Sequence, residues 1–461
     1  MSSEFSRKIH DQLSLRVFIP LSRFQRLVRP SRRAVMTAFR QGLAFREETR
    51  SWSDEQKREW ILSRLRQVAR HAYENTDYYA KTFDLVGFDP RADFSFDDFA
   101  ALPVLDRDMI NQQGSQMISK LSSVDQLRPH ASGGSTGIPT EVWQGPKEIG
   151  WGESGTEYFM RTIGVPEGSR IAYFWGHHLD PKATDSLRDR IHGFQTNTRW
   201  FDCLRLDDKK LESYHEAFSN WRPQCIIAYA SALGSLAEFI LERGIKPNYP
   251  QQCFVTGAEK LWAKHREAVT NAFGKPVHER YGARDAGGLG FQLFPQKTLS
   301  YHLDWQNVLI EPATNDEVTE ILVTKLHADG MPMIRYRLGD LGRFRAGSRP
   351  GQPSLMLDEV AGRVVDRIWS SDGRWVSGLE IPHLLKDFPI QQFLFLQRAD
   401  YSVDLQIVPQ SGFSETSSRE IQSILALNLP GLEVKIRTVK EVPVTRANKW
   451  RPVISEVQAA N

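Results

Sequence analysis

Apolar residues recur along the chain at two spacings. Between positions 52 and 71, Trp60, Ile61, Leu65, Val68 and Ala69 fall on one face of a 3.6-residue repeat, which predicts an amphipathic helix. Turn-rich stretches follow at 74–79 and 98–105. Farther on, short apolar runs at 170–175, 225–229 and 253–257 alternate with helical spacing at 231–243 and 261–273. Strands alternating with helices in this rhythm build an α/β domain whose sheet is flanked by helices.

The pattern changes near 357–366, where a strand-like run passes into a charged segment. Beyond it, 393–397 and 403–408 read as strands, 414–427 as a helix and 434–438 as a strand, which predicts a small α+β C-terminal domain. No internal repeat is visible. The expected division is a basic amphipathic arm at 1–50, a large α/β domain at 51–365 and a small domain at 366–461.

Composition narrows the class. A chain of 461 residues with 40% hydrophobic content is long enough for more than one core, and 32 Gly, 24 Pro and 25% charged residues exclude collagenous and disordered readings. Cys203, Cys225 and Cys253 form no C-x-x-C doublet, so neither a disulfide scaffold nor a cysteine metal site is expected, and a reducing cytoplasm is. The most apolar stretch, 225–241, is interrupted by Glu238 and too short to span a bilayer; no signal-peptide region precedes it.

Charge is unevenly placed. Residues 1–50 hold 11 Arg or Lys and 4 Asp or Glu, a balance of +7 against +3 for the whole chain, so the remainder is net acidic and no overall bias toward nucleic acid exists. In that arm Leu13, Leu15, Val17, Phe18, Ile19, Leu21, Phe24, Leu27 and Val28 interleave with arginines, and Pro20 and Pro30 break the run into short helices. Such helices either touch a membrane surface or partner weakly or, more commonly, pack on the main body. The arm is expected to be dispensable for chemistry, because the motifs begin after it.

Several motifs carry possible chemistry. Ser132, Gly133, Gly134, Ser135, Thr136 and Gly137 combine glycines that let the backbone curl round an anion with hydroxyls that donate to it; a flexible linker is the other reading. No G-K-[ST] follows, which excludes a Walker loop. Gly257-Ala258-Glu259 closes one apolar strand and Tyr281-Gly282-Ala283-Arg284-Asp285 the next, and strand carboxyl ends are where open α/β sheets bind ligands. Arg335-Tyr336-Arg337-Leu338-Gly339-Asp340 and Gly362-Arg363-Val364-Val365-Asp366 follow, and Lys449 sits in a loop bounded by Pro443. Taken singly, Asp285 and Asp340 are more often turn caps than ligands, and a lone lysine is usually solvated.

In this order and at these separations, the motifs resemble those of the adenylate-forming superfamily of acyl-CoA synthetases, peptide-synthetase adenylation domains and luciferases. The phenylacetate-CoA ligase branch, especially its capsular-polysaccharide-biosynthesis relatives, is the nearest likeness, through Trp52-Ser53-Asp54-Glu55-Gln56, His71-Ala72-Tyr73, Tyr78-Tyr79 and Leu102-Pro103-Val104-Leu105. The likeness covers about residues 50 to 455.

The resemblance implies a ligase that uses ATP, Mg²⁺ and CoA on a small carboxylic acid; cysteine usage and charge add the expectation of a cytoplasmic location, peripheral to the inner membrane surface through the basic arm, with no nucleic-acid partner. It places 132–137 around the ATP phosphates and Gly257, Ala258, Glu259 and Tyr281 around the adenine, with Asp340 on the ribose, assisted by Arg363. Asp285 stands where a Mg²⁺-holding glutamate is usual, Gly373 would approach the pantetheine and Lys449 matches the catalytic lysine of a small domain that is mobile. Val365, Asn448 and Ile138 replace the usual hinge Asp or Lys, a glycine and a loop lysine. Trp175, His177, Tyr229 and Ser231 are the candidate acyl pocket; His177-His178 reads more readily as a turn than as a metal pair. Two alternatives stand: transfer of the acyl group to an amine, a sugar or a carrier protein in polysaccharide or natural-product biosynthesis, and a non-catalytic nucleotide-binding relative.

Overall fold

A computed structural model describes residues 30–131, 140–175, 193–203, 206–296, 298–363, 367–369, 375–377, 380–385, 388–429, 431–443 and 452–457. The chain divides into a large unit, Met1–Leu338 with Phe344–Glu359, and a small one, Gly339–Arg343 with Val360–Asn461.

The large unit begins with α1 (Pro30–Glu48) and α2 (Asp54–Asn75). Helix α2 starts in a capping box: Ser53 Oγ accepts from Gln56 N–H at 3.2 Å while the Gln56 side chain accepts from Ser53 N–H at 2.9 Å. Its buried face is Ile61, Leu65, Val68, Ala69 and Ala72, the stripe legible in the sequence. Shorter helices follow: α3 (Asp77–Leu85), α4 (Phe96–Ala100) and α5 (Arg107–Met117). A hairpin of β1 (Arg128–Ala131) and β2 (Glu141–Gln144) then leads into α6 (Pro146–Thr162).

Helices α1 and α6 approach so closely that a Cβ on Gly150 would lie 2.4 Å from Val35 O, and one on Gly42 2.3 Å from Ser154 Oγ. Into that contact runs Arg46, 1% exposed, which donates through Nη2 to Asp304 Oδ1 and Oδ2 (2.8 and 2.9 Å) and through Nη1 to Ser154 Oγ (2.7 Å). Phe45, Trp52, Trp60 and Trp305 pack against one another, and the Arg46 guanidinium lies 5.6 Å from the centre of the Trp151 ring. From Pro30 onward, therefore, the expected arm is not a separate appendage, and its buried arginine ties it into the large unit; residues 1–29 lie outside the described residues. Among the described residues no helix is long and apolar enough to cross a membrane.

Among the described residues the main sheet has 11 strands. In chain order they are β3 (Ile171–Trp175), β4 (Thr198–Asp202), β5 (Cys225–Ala228), β6 (Cys253–Gly257), β7 (Val277–Ala283), β8 (Gly287–Gln292), β9 (Tyr301–Leu303), β10 (Val308–Pro312), β11 (Val318–Lys325), β12 (Tyr336–Phe344) and β13 (Met356–Arg363). Their spatial order is β10-β11-β12-β13-β9-β8-β7-β6-β5-β3-β4. Strands β4, β3, β5, β6 and β7 run parallel, and β8 turns the pairing antiparallel. The parallel part is covered on both faces, so β5 and β6 are buried at every position and read as unbroken apolar runs. Cys225, Ile227, Cys253 and Val255 pack with Phe159 and Met160 of α6. Ile226, Ala228 and Phe254 pack on the other face with α7 (Asp208–Trp221), α8 (Ala230–Glu242) and α9 (Ala263–Phe273).

The small unit holds a hairpin of β14 (Arg367–Trp369) and β15 (Trp375–Ser377), α10 (Glu380–Leu385), and a four-stranded sheet ordered β18-β17-β16-β19. Its strands are β16 (Ile390–Gln397), β17 (Val403–Pro409), β18 (Val434–Thr438) and β19 (Val453–Ser455); α11 (Glu415–Asn428) packs Ile421 and Leu425 onto Phe395, Leu405 and Ile407. The α/β class with a small α+β part is as the sequence predicts. Strand β8, Gly-Gly-Leu-Gly-Phe-Gln, was not among the predicted elements because three of its six residues are glycines, which weaken any strand signal.

Two consequences can be measured. Arg46→Ala leaves the Asp304 carboxylate buried without its counter-charge and should cost about 3–5 kcal/mol in chemical denaturation, part of which Asp304→Asn in the same chain should recover. His265 lies beneath α8, where a Cβ on Gly234 would meet its ring at 2.7 Å, and burial pushes its pKa down to about 4, with Lys264 adding to the effect. The unfolded chain takes up that proton near pH 6.5 and the folded chain does so only near 4, so acid favours unfolding. Between those values this one group should remove about 1.4 kcal/mol of stability per pH unit, and His265→Gln should flatten the slope of stability against pH.

Candidate functional site

Because β3, β5, β6 and β7 are parallel, the residues that follow them gather along one edge of the sheet. Trp175 closes β3, Tyr229 follows β5, and their rings meet with centroids 4.3 Å apart. Gly257 ends β6 beneath them: a Cβ there would lie 3.7 Å from the Trp175 ring and 3.3 Å from Arg280 O. Cys203 donates its N–H to Trp175 O at 3.3 Å, and its thiol is pushed up to about 12 by burial, then by Glu259 and Asp202. Burial likewise raises the Tyr229 phenol, with Cys203 and Glu259 adding. Thiol and phenol therefore stay protonated and act only as neutral groups.

Glu259 has a structural task at this edge. Helix α8 starts at Tyr229, whose side chain makes no cap, and Glu259 Oε2 instead accepts from Ser231 N–H at 3.0 Å and from Ser231 Oγ–H at 2.7 Å. A carboxylate from a neighbouring strand thus serves as the helix's N-terminal acceptor and meets the positive end of its dipole. Ala258, between Gly257 and Glu259, is held at φ +66°, a left-handed conformation that aims Glu259 back toward α8. Trp175, Tyr229, Ser231, Gly257, Ala258 and Glu259 are thereby brought together, and Tyr281 follows on β7, its ring 5.9 Å from that of Tyr301.

Past the end of β7, Asp285 is 1% exposed. Tyr336 donates its hydroxyl to Asp285 Oδ2 at 2.6 Å, and Arg107 Nη2 reaches the same oxygen at 3.3 Å. Arg107 also donates through Nε to Tyr336 Oη at 3.2 Å and through Nη2 to Leu338 O at 3.4 Å. Burial pushes the Tyr336 phenol up, and the neighbouring Asp285 carboxylate adds to the shift. Arg107 reaches this point because Arg335 clamps the segment before it. Arg335, 5% exposed and at φ +50°, donates to Glu311 Oε1 at 3.2 Å and to the carbonyls of Ala100 and Leu102, while Leu105 N–H donates to Arg335 O at 3.1 Å. Of the two arginines in the Arg335-Tyr336-Arg337 run, one is thus a buried clamp; the other is exposed and pairs with Glu320 at 3.1 Å.

His130, two residues before the 132–139 loop, has its basicity lowered by burial and then by Arg128, Lys325 and Arg284, with Asp285 opposing. The end of β1 therefore lies in a field of positive charge. Lys325 is itself paired with Glu148 at 2.6 Å.

The expectation that Asp285 holds Mg²⁺ does not fit these residues. One of its oxygens already accepts from a phenol and a guanidinium, and the guanidinium puts a fixed positive charge where the cation would sit. Asp340, half-buried on β12, and Arg363, the last residue of β13, fall with the small unit. Ser132, Gly133, Gly134, Ser135, Thr136, Gly137, His177, Gly373 and Lys449 lie outside the described residues. Sequence reasoning missed Arg107 and Cys203. The available signal for Arg107 was Asp106, a good helix N-cap directly after the Leu102–Leu105 stretch.

Comparison with known proteins places this arrangement. No family model matches the chain. It is 24% identical over 323 residues to the phenylacetate-coenzyme A ligase of Pseudomonas putida, covering 68% of this chain and 71% of that one. It is 21% identical over 240 residues to protein CapK of Staphylococcus aureus, 52% of each chain. Among solved structures, 2-hydroxyisobutyryl-CoA ligase in the postadenylation state, bound to an acyl-adenylate, superposes with a TM-score of 0.65 at 17% identity, covering 88% of this chain and 91% of that one. The likeness read from the motifs is borne out, and the fold is shared with adenylate-forming CoA ligases.

If Glu259 caps α8, Glu259→Ala should cost about 1 kcal/mol in a denaturant melt, and Glu259→Gln should keep most of that because its carbonyl oxygen still accepts both bonds.

Proposed function

We propose that the chain is an AMP-forming acid–CoA ligase acting on an aromatic carboxylate. The observation that carries this reading is the aromatic wall formed by Trp175 and Tyr229, whose ring centroids lie 4.3 Å apart with a tilt of 56°, beside the Gly257-Ala258-Glu259 strand end in a chain similar to phenylacetate-CoA ligases. An aryl group packs against such an aromatic wall through its face or edge, and the neutral Cys203 and Tyr229 present no charge to repel an apolar ring.

In the first half-reaction a carboxylate oxygen attacks the α-phosphorus of ATP, the bond to the bridging oxygen breaks and pyrophosphate leaves. In the second, the CoA sulfur attacks the acyl carbon and gives up its proton, and the acyl–oxygen bond to AMP breaks. Both reactants of the first step are anions, so fixed cations must offset their repulsion and the charge that develops at phosphorus. Arg128 and Arg284 near His130 supply positive potential just before residue 132. Gly257 and Tyr281 would flank the adenine, Asp340 and Arg363 would serve the ribose, and Gly373 the pantetheine. Lys449 is assigned to the α-phosphate in the first half-reaction only.

Wild-type protein given ATP, Mg²⁺, an arylacetic or benzoic acid and CoA should release AMP and form the thioester; acyl-AMP that waits for an amine, a sugar or a carrier protein would identify a different acceptor. Lys449→Ala should melt normally yet lose on the order of 10²–10³ in acid-dependent pyrophosphate exchange, with thioester formation from pre-made acyl-adenylate much less affected. Normal exchange in that variant would remove the lysine assignment.

A further inference from the structure

The contacts at Asp285 have a consequence for how the nucleotide's charge is met. Burying a carboxylate to 1% exposure is costly unless a compensating charge and hydrogen-bond donors are buried beside it. Here that charge is the Arg107 guanidinium, which cannot give up its proton and is fixed at three points, on Asp285 Oδ2, Tyr336 Oη and Leu338 O. The Arg107 side chain is 25% exposed, so the pair keeps a side open to solvent, and Asp285 is near enough to His130 to act on its charge together with Arg284. Asp285 is one methylene shorter than glutamate, and the Tyr336 hydroxyl holds it back against β12.

We propose that Arg107 is a positioning residue that occupies the counter-ion place at Asp285, so that this carboxylate orients a guanidinium toward the nucleotide and does not ligate a divalent cation. The proposal rests on the nucleotide-binding reading above and deepens it. With Arg107 present, the Asp285–Arg107 pair adds no net negative charge to a site that must accept a triphosphate. With Arg107 gone, Asp285 keeps the Tyr336 hydroxyl but loses its counter-charge, so it repels the triphosphate and a divalent cation can take the vacated place.

The test is calorimetric titration of the non-hydrolysable analogue α,β-methylene-ATP into the full chain, in EDTA and across a Mg²⁺ series. Arg107→Gln should weaken binding in EDTA by about tenfold or more, equivalent to about 1.4 kcal/mol, and Mg²⁺ should restore it. Arg107→Lys, which keeps the charge, should behave nearly as wild type and shows whether the position tolerates change without unfolding. Asp285→Asn added to Arg107→Gln should abolish both the loss and its recovery by Mg²⁺, whereas Asp285→Asn alone should leave the Mg²⁺ midpoint of wild type unchanged. Equal weakening of Arg107→Gln at every Mg²⁺ concentration, as a merely structural support would give, overturns the proposal. So does a shifted midpoint in Asp285→Asn alone, the mark of a lost metal ligand. A wild-type chain that binds no analogue at any Mg²⁺ concentration overturns the nucleotide reading and the proposal with it; in the two preceding outcomes that reading survives.

Discussion

The buried pairing of Arg335 with Glu311 decides where the chain before α5 must run. Glu311 is fully buried on β10 and accepts from Arg335 and from Gly351 N–H, so its charge is balanced without water. Arg335 spends its remaining donors on the carbonyls of Ala100 and Leu102, which lays residues 100–105 along the start of β12. Removing either partner would strand a charge in the core, a loss of several kcal/mol. The first turn of α5, and with it Arg107, is placed by this constraint rather than by any preference of its own sequence.

The same logic of buried charges met in pairs recurs through the large unit. Arg46 with Asp304 joins α1 to the segment after β9, Lys325 with Glu148 joins β11 to α6, and Arg266 with Glu279 joins α9 to β7. The first two link elements far apart in sequence, the third ties a helix to the strand that follows it, and together they brace the sheet that carries the strand ends. Residues at those ends, Trp175, Tyr229 and Glu259, therefore sit on a framework that has little freedom to adjust, which suits a site that must align two anions.

Much of this architecture was legible because its signal is local. The apolar runs of β5 and β6, the helical stripe of α2, and the strand and helix spacing of the small unit all follow from burial within a single element. The strand-end motifs around Gly257 and Tyr281 were legible for a related reason: chain reversals after parallel strands need glycines and small polar residues. The charge pairs were not, since Arg46 finds Asp304 across 258 positions and Arg107 finds Asp285 across 178. Nothing beside those arginines distinguishes them from solvated ones. Asp285 shows the limit most clearly: its place in the motif suggested a metal ligand, and only the phenol and guanidinium that fold onto it reveal a different occupation.

Ala258 carries an implication for how this strand end can drift. A left-handed alanine is strained by about 1 kcal/mol through its methyl group. Glycine would relieve that strain but would gain freedom in the unfolded chain, worth a similar amount in the opposite sense. Exchange between the two is thus close to neutral for folding, and thermal selection is nearly blind to it. What the methyl group does is forbid the other backbone conformations a glycine would sample there. The peptide groups flanking Glu259 are consequently oriented before any ligand arrives, and selection for tight binding, acting alone, is enough to keep a side chain at a position that sterics would assign to glycine.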